Sequence, residues 1–92
     1  MEMYNEQTSK VFLNDLKDWY FKTNGIEKKI TFKNFTEALG FIVKVGVVAE
    51  KMNHHPELFN VYNKVNIRLS THDAKGVTIK DFDLAKAIDE LQ

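Results

Sequence analysis

The stretch WYFKTNGIEKKITF, Trp19–Phe32, decides whether this chain begins as a helical protein or as a sheet. Asn24-Gly25 is a favoured two-residue hairpin turn, because both residue types tolerate positive φ. After it, Ile26, Lys28, Ile30 and Phe32 fall on one face of a strand, while Lys29 and Thr31 fall on the other. The pattern predicts paired antiparallel strands over Trp19–Lys22 and Ile26–Phe32. A first helix that runs on through Tyr20 is the competing reading, and it stays open at this level.

Upstream, Thr8 or Ser9 can cap a first helix that carries Phe12, Leu13 and Leu16 on one face. Downstream, Asn34 starts a second helix, with Glu37 as its capping-box partner. Phe35, Leu39, Ile42, Val45, Ala49 and Met52 recur at helical spacing along it. Gly40 and Gly46 lie on a neighbouring stripe. Pro56 disfavours helical backbone at His55, so the helix stops near Asn53. LFNVYNKVNIRLST reads as two more strands joined at Asn63-Lys64, with Val65, Ile67 and Leu69 alternating with polar residues. THDAKG is a loop. Thr78 caps a last helix, with Asp81 at its third position and Leu84, Ile88 and Leu91 on the buried stripe. The order helix, strand, strand, helix, strand, strand, helix predicts an α+β fold: a four-stranded antiparallel sheet with three helices on one face.

Composition narrows the function. The 92 residues predict one domain spanning 1–92. Lys plus Arg and Asp plus Glu both total 13, so the formal net charge is zero, which argues against a nucleic-acid surface held by bulk charge. With no cysteine, thiolate chemistry and cysteine-rich zinc sites are excluded, and a reducing, cytoplasmic compartment is the expectation. The polar start MEMYNEQTSK does not read as a signal peptide, and no apolar run approaches the ~20 residues that span a bilayer.

KMNHHPELF, Lys51–Phe59, holds two of the three histidines, and STHDAKG holds the third, His72. His54 and His55 follow a helix end. If the next hairpin folds back tightly, His72 returns to the same edge of the sheet, and three imidazoles meet at one mouth. Their ordinary pKa near ~6.5 suits proton donation and acceptance at neutral pH. Histidines at helix ends are also often merely solvated or cap a carbonyl, and Asp81 has its own duty as a cap. A metal site is a weaker reading. Adjacent helical residues point about 100° apart, and the spacing His-Glu-x-x-His is absent.

AEKMNHHPELFNVYNKVNIRLSTHDAKGVTIKDFDLAKAID, residues 49–89, resembles the signature region of the pterin-4a-carbinolamine dehydratases, a family that includes the dimerisation cofactor of a hepatocyte transcription factor. ITFKNFTEALGFIVKV is similar to the strand and helix that precede that signature. The resemblance runs from about Trp19 to Asp89. It implies the same fold, a homotetramer built as a dimer of dimers, and a reaction: loss of water from 4a-hydroxytetrahydropterin to give quinonoid dihydropterin. That step recycles a tetrahydrobiopterin-type cofactor, so an aromatic amino acid hydroxylase is the implied pathway partner. The resemblance implies His54, His55, His72 and Asp81 as catalytic residues. His54 and His72 take the acid–base roles, His55 chiefly binds substrate, and Asp81 orients His72. Around the pterin substrate it implies His55, Glu57, Leu58, Phe59, Ser70 and Thr71. No metal, cofactor, nucleic acid or membrane is called for. Leu58 departs from the pattern, since many members have tryptophan there, and a smaller apolar pocket wall is the expected consequence. The other role open to such a chain is a non-catalytic module that stabilises a partner protein or a transcription factor dimer.

Overall fold

The computed structural model describes residues 1–92 and has the element order α1 (Glu6–Leu13), β1 (Tyr20–Lys22), β2 (Gly25–Thr31), α2 (Phe35–Met52), β3 (Glu57–Val61), β4 (Lys64–Leu69), a short 3₁₀ turn (His72–Ala74) and α3 (Ile79–Asp89). The four strands form one antiparallel sheet in the order β1-β2-β4-β3. Strand alternation then sorts the side chains. Ile26, Lys28 and Ile30 of β2 stand opposite Leu69, Ile67 and Val65 of β4 on the face covered by helices. Glu27 and Lys29 stand opposite Arg68 and Asn66 on the face left open. The core joins Ile26, Val65, Ile67 and Leu69 to Ala38, Phe41, Val45 and Ala49 of α2 and to Phe82, Leu84, Ala85 and Ile88 of α3. Helix α1 is anchored by aromatic contacts, with Phe12 stacked on Phe82 at 4.4 Å and Tyr4 edge-on to both.

The hairpin is where expected but turns one residue earlier. Lys22 pairs with Gly25, so the turn residues are Thr23 and Asn24, at φ 46° and 61°. Gly25 serves another need: a Cβ there would lie 2.5 Å from the Arg68 guanidinium. The β3–β4 turn also shifts by one, to Tyr62-Asn63, with Val61 paired to Lys64. The first helix does not run through Tyr20. It is capped by Asn5, and Thr8 is the reciprocal N3 partner rather than the cap.

Helix α2 corrects the expected stripe. Val45 and Ala49 are buried as read, but Ala38 and Phe41 complete the inner row. Phe35, Leu39 and Met52 are exposed, and so are Val43 at 65% and Val47 at 51%. The helix is apolar on more than one side, so periodicity does not fix its phase, and the sheet takes the row with small alanines at close approach. A Cβ at Gly40 or Gly46 would meet nothing within 4 Å. Phe35, Leu39, Val43 and Val47 form an i, i+4 row that nothing in the chain covers. No helix is long and apolar enough to cross a membrane.

Candidate active site

Two local motifs place the histidines. Helix α2 ends in a Schellman motif: Asn53 adopts left-handed backbone (φ 51°), the His54 amide donates to the Ala49 carbonyl, and the Asn53 amide donates to that of Glu50. The reversal turns His54 inward and leaves His55 outside. His54 is 9% exposed, and its Nε2 lies 2.5 Å from Asp81 Oδ1. His55 is exposed, with Nε2 at 2.8 Å from Glu50 Oε1. A polar contact that open to water contributes little, about 0–1 kcal/mol.

The second motif is the capping box of α3. Thr78 caps the helix and Asp81 returns to the Thr78 amide at 2.9 Å. Asp81 is fully buried and accepts three hydrogen bonds, from His54, from the Thr71 hydroxyl (2.9 Å) and from the Thr78 amide. The Thr78 hydroxyl lies 2.6 Å from that of Thr71, which closes a buried chain of polar groups. Asp81 therefore holds His54, not His72. Capping and histidine pairing coexist because a carboxylate has two oxygens and several acceptor positions.

Strand β4 leads out through Ser70 and Thr71 to His72, which opens the 3₁₀ turn. The Thr71–Gly76 bridge closes this loop, and Lys75 takes left-handed backbone (φ 58°). His72 thereby returns to the open sheet face beside His55. The two share a cleft of about 490 Å³ lined by Asn24, His55, Glu57, Arg68, Ser70, His72 and Lys75. Its volume suits a small molecule, and every lining residue is polar or charged. Arg68 lines it too, donating to Glu27 Oε2 at 3.0 Å, with its Nε 3.7 Å from Glu57 Oε2. Burial pushes the Glu27 carboxyl up, but hydrogen bonds from Asn66 and Arg68 and the charges of Lys22 and Arg68 outweigh it and hold Glu27 below its ordinary value.

The residues expected at the site divide. His55, Glu57, Ser70 and His72 line the cleft; His54, Thr71 and Asp81 lie buried as one hydrogen-bonded group. Leu58 and Phe59 do not line it. Leu58 is opposite the buried Ile67, on the helix side of the sheet, so it is no wall of this cleft. Phe59 lines a separate hollow with Lys29, Thr31 and Val61. Asn24, Arg68 and Lys75 line the cleft although the sequence marks none of them as a site residue, and Glu50 is the partner of His55. Their sequence signals were ordinary: a turn residue, the polar face of a strand, a loop lysine and a helix-surface carboxylate. No three His, Asp or Glu side chains gather at metal-binding geometry.

Known proteins are similar to this chain in sequence and fold. Residues 2–91 match the family described as Pterin 4 alpha carbinolamine dehydratase. A protein of Sulfurisphaera tokodaii, provisionally named pterin-4-alpha-carbinolamine dehydratase, is 47% identical over 99% of this chain and 98% of its own length. One of the same provisional name from Rhizobium johnstonii is 45% identical over 98% of this chain and 91% of its own. The crystal structure of a transcriptional coactivator/pterin dehydratase from Brucella melitensis superposes with a TM-score of 0.91 at 34% identity, covering 98% of both chains. A pterin dehydratase-like RuBisCO assembly factor of the alpha-carboxysome shares the fold alone, at 18% identity over 83% of this chain and 87% of its own, with a TM-score of 0.65. The chain belongs to the pterin 4 alpha carbinolamine dehydratase family.

Proposed function

We propose that this protein dehydrates 4a-hydroxytetrahydropterin to quinonoid dihydropterin and water, as one catalytic unit over residues 1–92. The observation that carries the reading is the pair of solvent-reachable imidazoles, His55 and His72, in one polar cleft of a chain of this family. The C4a–O bond breaks as a proton reaches the departing hydroxyl. The N5 lone pair forms the new C=N bond, and the N5 proton is lost. One proton is taken up and one released, so an acid and a base suffice. Positioned groups of this kind contribute typically 10²–10⁴-fold. His55 and His72 take these two roles and reset through bulk water. His54 does not face the cleft; it anchors the segment before His55 by its bond to Asp81. Glu57 contacts the substrate, and Ser70 lines the cleft beside it. The lack of cysteine suits a reducing, cytoplasmic setting, where a pterin-dependent aromatic hydroxylase would supply the substrate. The direct test follows product absorbance after adding the protein to freshly generated 4a-hydroxytetrahydropterin. Acceleration in proportion to protein supports the reading, and none contradicts it.

The uncovered row on α2 supports assembly as a homotetramer through helix–helix contact. Phe35, Leu39, Val43 and Val47 supply an apolar surface that a second copy would bury. Val43→Glu or Val47→Glu should dissociate it, because an unpaired charge would enter an apolar contact. Light scattering at micromolar concentration should give an oligomer for the parent and the 10.7 kDa monomer for the variants. A monomeric parent would contradict assembly. It would leave the same row free for a partner protein, as the non-catalytic reading requires.

A further inference from the structure

We propose that Asn24 determines substrate specificity: its side-chain amide reads the lactam edge of the pterin ring, and Arg68 and Ser70 are the positioning residues that hold it there. The inference rests on the pterin reading of the cleft and adds a residue to it. The β1–β2 turn is an unusual choice for a mere connection. Both of its residues have positive φ, and Thr23 is β-branched, for which that backbone is costly. What holds the turn comes from β4 and the residue after it. Arg68 Nη1 donates to the Lys22 carbonyl at 2.7 Å and Nη2 to the Thr23 carbonyl at 2.6 Å. Ser70 Oγ donates to the Asn24 carbonyl at 2.9 Å. Three successive carbonyls are thus tied down by two side chains that line the cleft. Glu27 fixes Arg68 in turn, and Gly25 leaves the space its guanidinium fills.

The result is a rigid wall with one free polar group. Asn24 lines the cleft; its carbonyl is engaged by Ser70, and no group within the chain holds its side-chain amide. A primary amide sets an N–H donor beside its acceptor oxygen. The pterin ring presents the complement at C4=O and N3–H, so the two can close a paired hydrogen bond. C4 is bonded to C4a, and C4a to N5. Fixing the lactam therefore fixes the reacting atoms relative to His55 and His72. Glu57, held only loosely by Arg68, is free for the neighbouring 2-amino group.

Binding of 7,8-dihydropterin, followed by fluorescence titration, tests this without relying on turnover. Asn24→Gly keeps the left-handed backbone and removes the amide; Asn24→Asp keeps the shape and removes the donor. Two hydrogen bonds of ordinary net strength correspond to about tenfold. Asn24→Gly should therefore weaken binding about tenfold with an unchanged melting temperature, and Asn24→Asp should weaken it at least as much. If the parent binds and both variants bind within twofold of it, the assignment of Asn24 is wrong while the pterin reading stands. If the parent does not bind dihydropterin, both fall together.

Discussion

His72→Ala should lower turnover by about 10²-fold or more while changing substrate affinity little. His72 lines the cleft from a closed loop and has no hydrogen-bond duty in the fold that its loss would disturb. On the proposed role its removal would delete a proton carrier and little else, so melting should stay close to the parent. His54→Ala should behave differently. His54 is nearly buried and donates to Asp81, so that change should lower stability and act on activity only through the placement of His55. Steady-state kinetics and melting curves on both variants separate the cases. His72→Ala at parental turnover would remove that residue from the chemistry. A His54→Ala protein that melts like the parent but is inactive would move the proton-transfer role back to His54.

Asp89→Ala should cost about 3–5 kcal/mol of stability, because it strands a buried ammonium. Asp89 Oδ1 accepts from Lys28 Nζ at 2.8 Å and from Trp19 Nε1 at 2.9 Å, and Oδ2 accepts from the Lys17 amide at 2.9 Å. Gln92 gives Lys28 one further, neutral acceptor at 2.7 Å. Lys28 is 4% exposed and Asp89 7%, so water cannot replace the lost carboxylate. At about 0.05–0.15 kcal/mol per residue, a chain of this size has total stability of the same order. The melting temperature should fall by roughly 12–40 °C, at about 4–8 °C per kcal/mol. Removing both charges with Lys28→Met and Asp89→Leu should restore only part of the loss: no ion is orphaned, but the Trp19 and Lys17 N–H groups still lose their acceptor. Thermal melts followed by circular dichroism measure both. A loss under about 1 kcal/mol for Asp89→Ala would show that the cluster is more hydrated than its burial implies.

The same cluster shows how far the sequence could be read. Strand alternation put Lys28 on the inner face with Ile26 and Ile30, and it is there. Nothing local marked Asp89 as its partner, because the two meet only when α3 packs on the sheet. The order of elements and the antiparallel sheet followed from turn chemistry and alternation, which are local. The misplacements have non-local causes. Gly25 suggested the hairpin turn, but it is glycine to admit the Arg68 guanidinium from β4. Apolar residues on several sides of α2 left its phase to be set by the sheet. The histidines were legible as candidates; their orientations were not. Asn53 turns His54 toward Asp81 and leaves His55 outside, so adjacent residues meet different surroundings. Leu58 and Phe59 follow the same lesson, since alternation on β3 points them to opposite faces and neither reaches the cleft.

The proposed reaction is acid–base dehydration by the cleft histidines without a metal. The most direct measurement is the initial rate of quinonoid dihydropterin formation from freshly generated 4a-hydroxytetrahydropterin, with a strong chelator present throughout. The expected rate rises linearly with protein concentration, is the same with and without chelator, and falls by about 10²-fold in His72→Ala. A rate equal to the uncatalysed one, or activity abolished by chelator and restored by zinc, would contradict it.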